Sequence, residues 1–176
     1  GDALAIVADM TNPADVERFI AETVKAFGRL DILVNNAGTS NANPFESVDD
    51  EVWKSDLELK LFGAIRATRA AIPHMKAAGG GRIINITMVG AKTPGARSLP
   101  TSVSRAAGIA FTKALSRDMA EHKILVNTVC VGLIKSGQQE RGAARRGVTP
   151  QQHYEAMGKN IPLGRVGEAE EVANVI

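Results

Sequence analysis

Residues 30–38, Leu-Asp-Ile-Leu-Val-Asn-Asn-Ala-Gly, limit the folds open to this chain more than any other stretch. The apolar run Ile32, Leu33 and Val34 is short and rich in β-branched residues, the pattern of a strand buried on both faces of a parallel sheet. It ends in two amides and two small residues. In an open α/β sheet the carboxyl ends of the strands face the ligand crevice. There Asn35, Asn36, Ala37 and Gly38 would offer polar groups and nearly bare backbone. The same residue types also make an ordinary exit from strand to turn, so the stretch by itself leaves both readings open.

The rest of the chain repeats the alternation. Residues 4–8 read as a short strand ending at Asp9, and Thr11-Asn12-Pro13 as a capped helix start. Val16, Phe19, Ile20, Val24 and Phe27 give that helix an apolar face, and Gly28 a stop. Ser47-Val48-Asp49-Asp50 resembles a capping box opening a long helical pattern over residues 49–77, with Pro73 kinking or ending it. Residues 82–87 and 124–131 read as strands, and residues 101–121 as a helix between them. Residues 135–149 show no clear period and are a candidate flexible lid; short helices follow near 150–159 and from 168. This order predicts a single partial domain over residues 1–176, a Rossmann-like, doubly wound parallel sheet with helices on both faces.

Composition narrows the function. Twenty-one Lys and Arg against 19 Asp and Glu give a net charge of +2, mostly scattered, which argues against a nucleic-acid partner. No stretch approaches the about 20 apolar residues of a membrane span, and no signal peptide is visible, so the expected location is the cytoplasm. The single cysteine, Cys130, lies in an apolar run and reads as a buried thiol. His74 reads as a helix-end residue, and His122 and His153 have no partner at metal spacing.

Taken together, Asp9 after a strand, Asn35-Asn36-Ala37-Gly38, Gly81-Arg82-Ile83-Ile84-Asn85-Ile86, Ser104-Arg105-Ala106-Ala107, Val126-Asn127-Thr128-Val129 and Ile161-Pro162-Leu163-Gly164-Arg165 resemble a short-chain dehydrogenase/reductase. The resemblance covers nearly the whole chain and implies NAD or NADP as cofactor, a small-molecule substrate, and a homodimer or homotetramer. It also implies that the phosphate-binding glycines, and the residue that selects between the two cofactors, precede Gly1. The chain therefore reads as cut at both ends, with its first strands missing. By position, Asp9 and Met10 would lie at the adenine, Asn36, Ala37 and Gly38 along its ribose, Ile86 near the nicotinamide ribose, and Gly132 and Ile134 at the carboxamide.

The family's catalytic group departs at every position. Setting Arg105 on the lysine of Tyr-x-x-x-Lys puts Thr101 on the tyrosine, and counting back thirteen puts Met88 on the serine. Lys60-Leu61-Phe62-Gly63 matches Asn-x-x-Gly, so Lys60 takes the asparagine's place. The one tyrosine, Tyr154, lies far along the chain. A threonine hydroxyl is far less acidic than a phenol, and a thioether is only a weak acceptor. Arg105 would hold ribose hydroxyls, and Lys60, if desolvated, would serve as an acid or meet an anionic substrate. Arg141, Arg145 and Arg146 in the lid segment are a solvated basic loop or a clamp for a carboxylate or phosphate. Two functions follow: an oxidoreductase with an atypical proton path, or a non-catalytic nucleotide-binding or subunit-interface protein on the same fold.

Overall fold

The computed structural model describes residues 1–176 and divides into two compact units, Gly1–Cys130 and Val131–Ile176. In the first, helix α1 (Pro13–Phe27) begins where the Asn12 side chain accepts from Ala14 N at 3.0 Å. It ends at Gly28, whose φ of 77° is left-handed and which bonds back to Val24 O. Strand β1 (Ile32–Asn35) follows, then a two-residue strand β2 (Ala42–Asn43) and helix α2 (Asp50–Leu57). A π-helical turn, Glu58–Phe62, joins α2 to α3 (Gly63–Ala77). The remaining elements are β3 (Gly81–Met88), β4 (Leu99–Pro100), α4 (Thr101–Asp118) and β5 (Ile124–Val131).

The three long strands form one sheet in the order β1-β3-β5, with β1 parallel to β3. The register pairs Leu33 with Ile83 and Asn35 with Asn85, so an asparagine interrupts the apolar residues of both strands at the same level. Leu33, Ile83, Ile124 and Val126 point into a core shared with Val16 and Ile20 of α1 and Ala67, Ala71 and Met75 of α3. Their alternates Ile32, Val34 and Leu125 are exposed, Ile32 to 57%. The architecture is the expected α/β Rossmann-like sheet.

Local readings in this unit differ in five places, the first being β1, read as buried on both faces but open on the side of Ile32 and Val34. Residues 4–8 form no strand, because no neighbouring strand exchanges hydrogen bonds with them, and Val7 is 93% exposed. The cap of α2 is Asp49, which accepts from Val52 N at 2.9 Å, and not Ser47, whose hydroxyl turns to Pro44 O. The long helix passes through Pro73 and breaks at residues 58–62. The β2–β4 pair, antiparallel and two residues long on each side, is too short to leave a period in the sequence.

The second unit holds α5 (Gly137–Arg145), α6 (Pro150–Gly158) and α7 (Ala169–Ala173). Residues 137–145 are thus helical; only Ala143 is buried, so no apolar stripe announces the helix. Tyr154 is structural here, its hydroxyl accepting from Ser136 N at 3.2 Å at the start of α5. Thr149 and Gln152 close a capping box on α6.

Met75 is fully buried, and an added Cβ on Gly81 would come within 2.8 Å of its sulfur, so helix and strand meet with no slack. Met75→Ala is expected to destabilise the protein by about 2–5 kcal/mol, measured by urea unfolding.

Candidate active site

The π-helical turn sets the site. Such a turn adds a residue to the helical repeat and often marks a functional position. Here it carries Lys60 inward, its side chain 0% exposed, beside Asp56, 1% exposed. Lys60 Nζ donates to Asp56 Oδ1 and, at 2.9 Å, to Thr101 Oγ1. The other carboxylate oxygen, Asp56 Oδ2, accepts from Ser104 Oγ at 2.6 Å. Thr101 Oγ1 accepts a second bond, from Asn41 N at 2.9 Å. Thr101 is placed by the β2–β4 pair, since α4 starts directly after Pro100. No buried side-chain polar atom is left without a partner, as burial of such groups demands. Burial pulls the Lys60 ammonium below its ordinary pKa, Asp56 pulls it back up, and Arg105 adds to the lowering.

One helical turn beyond Thr101, Arg105 reaches across the strand ends. Its Nη1 donates to Ile86 O at 2.7 Å, and its Nη2 lies against Gly38, where any side chain would collide with it. Burial lowers its pKa and Asp56 opposes this, but a guanidinium stays charged throughout. Below it, a chain of amides and hydroxyls ties the strands. Asn35 Nδ2 donates to Asn85 Oδ1 at 2.8 Å and to Thr68 Oγ1 at 3.1 Å, and Asn85 Nδ2 to Thr112 Oγ1 at 2.8 Å.

The residues expected at the cofactor divide between the two units. Asp9 is exposed. Its Oδ1 takes the Thr11 N–H at 2.9 Å and the Thr11 hydroxyl at 2.8 Å, bonds that hold the carboxyl below the usual range. Met10 O passes over Gly63, where a Cβ would sit 3.0 Å away, so the glycine of Lys60-x-x-Gly63 permits that approach. Asn36 and Ala37 line a cavity of about 130 Å³ with Met10, Lys60 and Gly63. Met88 is half-buried, folds its methyl beside Gly90, and makes no hydrogen bond to Lys60 or Thr101. Gly132 is exposed in the second unit, and Ile134 pairs with Gly167 there.

These residues fit a nicotinamide dinucleotide at the strand ends. Gly38 offers bare backbone, Asp9 keeps Oδ2 as an acceptor, and Arg105 Nε and Nη2 donate to no protein group. Asp56, Ser104 and Asn41 were not legible as site residues. For Asp56 the signal existed: it stands four residues before Lys60, the spacing of an ion pair on one helical face.

Comparison with known proteins agrees along the whole length. Residues 1–176 match the family model described as enoyl-(acyl carrier protein) reductase. A 3-oxoacyl-(acyl-carrier-protein) reductase from Synechocystis is 33% identical over 176 residues, covering 100% of this chain and 67% of that protein. Dehydrogenase/reductase SDR family member 4 from Pongo abelii is 31% identical over 183 residues, covering 100% of this chain and 63% of that protein. The crystal structure of L-sorbose reductase from Gluconobacter frateurii, complexed with NADPH and L-sorbose, superimposes with a TM-score of 0.90. It is 29% identical, and the match covers 98% of this chain and 67% of that one. The chain spans about two thirds of the length of these relatives.

Asp56→Asn leaves the Lys60 ammonium buried without its counter-charge and is expected to cost about 3–5 kcal/mol in urea unfolding. The double variant Asp56→Leu/Lys60→Met, which removes both charges, is expected to recover most of that loss.

Proposed function

The chain belongs to the short-chain dehydrogenase/reductase family, and we propose that it is an NAD(P)-dependent oxidoreductase of carbonyl and alcohol substrates whose proton passes through Thr101 and Lys60. The observation that carries this reading is the 2.9 Å bond between Lys60 Nζ and Thr101 Oγ1, which joins the family's asparagine and tyrosine positions by a proton-conducting contact. The names of its relatives, a 3-oxoacyl-(acyl-carrier-protein) reductase and an L-sorbose reductase, support a ketone as the group reduced.

A bound nicotinamide supplies the hydride; the chain supplies position and proton. Arg105 would hold the ribose side, flanked by the backbone of residues 36–38 and Ile86, and Asp9 and Met10 would meet the adenine end; by family position Gly132 and Ile134 would take the carboxamide. In the reductive direction Thr101 gives its hydroxyl proton to the substrate oxygen, and Lys60 returns a proton to Thr101. Burial makes this plausible chemistry for an ammonium, since it brings the Lys60 pKa down toward the working pH. Met88 has no proton to give, so the substrate oxygen depends on Thr101 alone. The resemblance further supports a homodimer or homotetramer, and the missing sequence period of residues 135–149 supports a substrate lid there. No helix is long and apolar enough to cross a membrane.

One observation favours the second reading, a non-catalytic nucleotide-binding or subunit-interface protein. The Lys60 side chain is wholly enclosed, and two of its three N–H bonds are already taken, by Asp56 and Thr101.

Turnover separates the two. The full-length protein is titrated with NADH and NADPH by fluorescence and run against a carbonyl and alcohol panel, beside Thr101→Val and Asp56→Leu/Lys60→Met. The enzyme reading expects each variant to lose about 100-fold or more in kcat with cofactor binding nearly unchanged. Reduction by the parent is expected to decline at high pH with an apparent pKa below that of an ordinary lysine, because Lys60 must be protonated to donate. That limb disappears in the double variant. Tight binding with no turnover across the panel establishes the non-catalytic reading, and absence of binding overturns both.

A further inference from the structure

Among the lysines and arginines that are not exposed, Lys60 pairs with Asp56, Arg66 with Glu58 and Lys135 with Glu168. Arg105 alone has no carboxylate in contact. Its single protein bond runs from Nη1 to a neutral carbonyl, Ile86 O, leaving Nε and Nη2 without protein acceptors. Asp56, the charge nearest to it in effect, is already committed to Lys60 and Ser104. A partly buried cation without a counter-ion is costly, and hydroxyl groups accept its hydrogen bonds without relieving its charge.

We propose that Arg105 is the receptor for an oxyanion, a carboxylate or phosphate group carried by the small molecule that binds at the ends of β1 and β3. The planar fork of a guanidinium matches two oxygens of such a group, and Arg105 keeps Nε and Nη2 free of protein acceptors to meet them. Resting on the reading of this site as the ligand crevice, the assignment narrows the substrate to an anionic carbonyl compound, such as an oxo acid, or else selects a phosphate-bearing cofactor. The shared chemistry is the oxyanion, and binding measurements tell its two sources apart.

The test uses the full-length protein without turnover. Oxalate and inorganic phosphate are titrated by calorimetry and thermal unfolding, with neutral oxamide as the size-matched control, on the parent, Arg105→Gln and Arg105→Lys. The expected result is that at least one anion binds and raises the melting temperature, that oxamide does not, and that binding weakens as salt is added. Arg105→Gln is expected to weaken the anion by about tenfold or more, with Arg105→Lys between the two because it keeps charge and loses the fork. Removing an uncompensated charge is expected not to lower the melting temperature of Arg105→Gln.

NADH and NADPH titrations then identify the source. A loss of NADPH affinity in Arg105→Gln with NADH unchanged assigns the oxyanion to the cofactor. Loss of oxalate binding in Arg105→Gln, with NADH and NADPH weakened only slightly and equally through the lost ribose contact, assigns it to the substrate. The proposal is overturned when neither anion binds in the millimolar range, when Arg105→Gln and Arg105→Lys bind them as well as the parent, or when Arg105→Gln weakens NADH and NADPH equally and leaves the anions untouched. Absence of turnover alone sinks the enzyme reading and leaves these binding results standing.

Discussion

The enclosed pair of Asp56 and Lys60 is the interaction on which the rest of the site depends. It joins two parts of the chain that are distant in sequence: the continuous run from the end of α2 into the π-helical turn, and the first turn of α4 through Thr101 and Ser104. A charge taken out of water costs several kcal/mol unless it is paired and its remaining donors and acceptors are met. Here both conditions hold, because Ser104 takes the second carboxylate oxygen and Thr101 accepts from the ammonium. The pair stabilises little by itself compared with an apolar core of equal volume. What it contributes is specificity: one geometry of α2 against α4 satisfies every atom, and other packings leave a charge exposed to hydrocarbon.

A second layer fixes where the strand ends open. Parallel pairing sets Asn35 beside Asn85, and the amide of Asn35 bridges to Asn85 and to Thr68 of α3. The backbone beyond each strand is therefore held from below while remaining free above. Two glycines turn this into usable space for opposite reasons. Gly63 lets Met10 cross the start of α3, whereas Gly38 yields its side-chain volume to the Arg105 guanidinium.

Much of this was readable because it is periodic or punctuated. The strand ending in Asn35 and Asn36 and the stop at Gly28 follow from local chemistry that tertiary contacts do not override. The assignment of positions 60, 88, 101 and 105 to the family's catalytic places rests on spacing alone. What stayed hidden depends on partners far along the chain. Nothing in Ser-Asp-Leu-Glu-Leu-Lys announces a π-helical turn, because the residue types keep an ordinary helical pattern through it. The two-residue strands β2 and β4 exist only as each other's partners. Asp56 is hidden because a charged residue on a helix rich in charge reads as solvated, although its spacing to Lys60 is that of an ion pair on one helical face.

The departures from the family pattern also constrain one another. A lysine at position 60 is tolerable inside this protein only with a counter-charge within reach, which Asp56 supplies from one helical turn earlier. The ammonium then needs an acceptor on α4, and Thr101, at the first position of that helix, presents an oxygen with no ring to occupy the space. Returning Lys60 to asparagine would strand the Asp56 carboxylate, and returning Thr101 to tyrosine would drive a ring into the ammonium. No single substitution leads back to the usual arrangement without passing through an unpaired buried charge or a steric conflict. The buried polar group is therefore self-consistent, each member meeting the charge or hydrogen bond of another. Arg105 stands outside that mutual compensation: its charge is the one left over when Asp56 and Lys60 have satisfied each other.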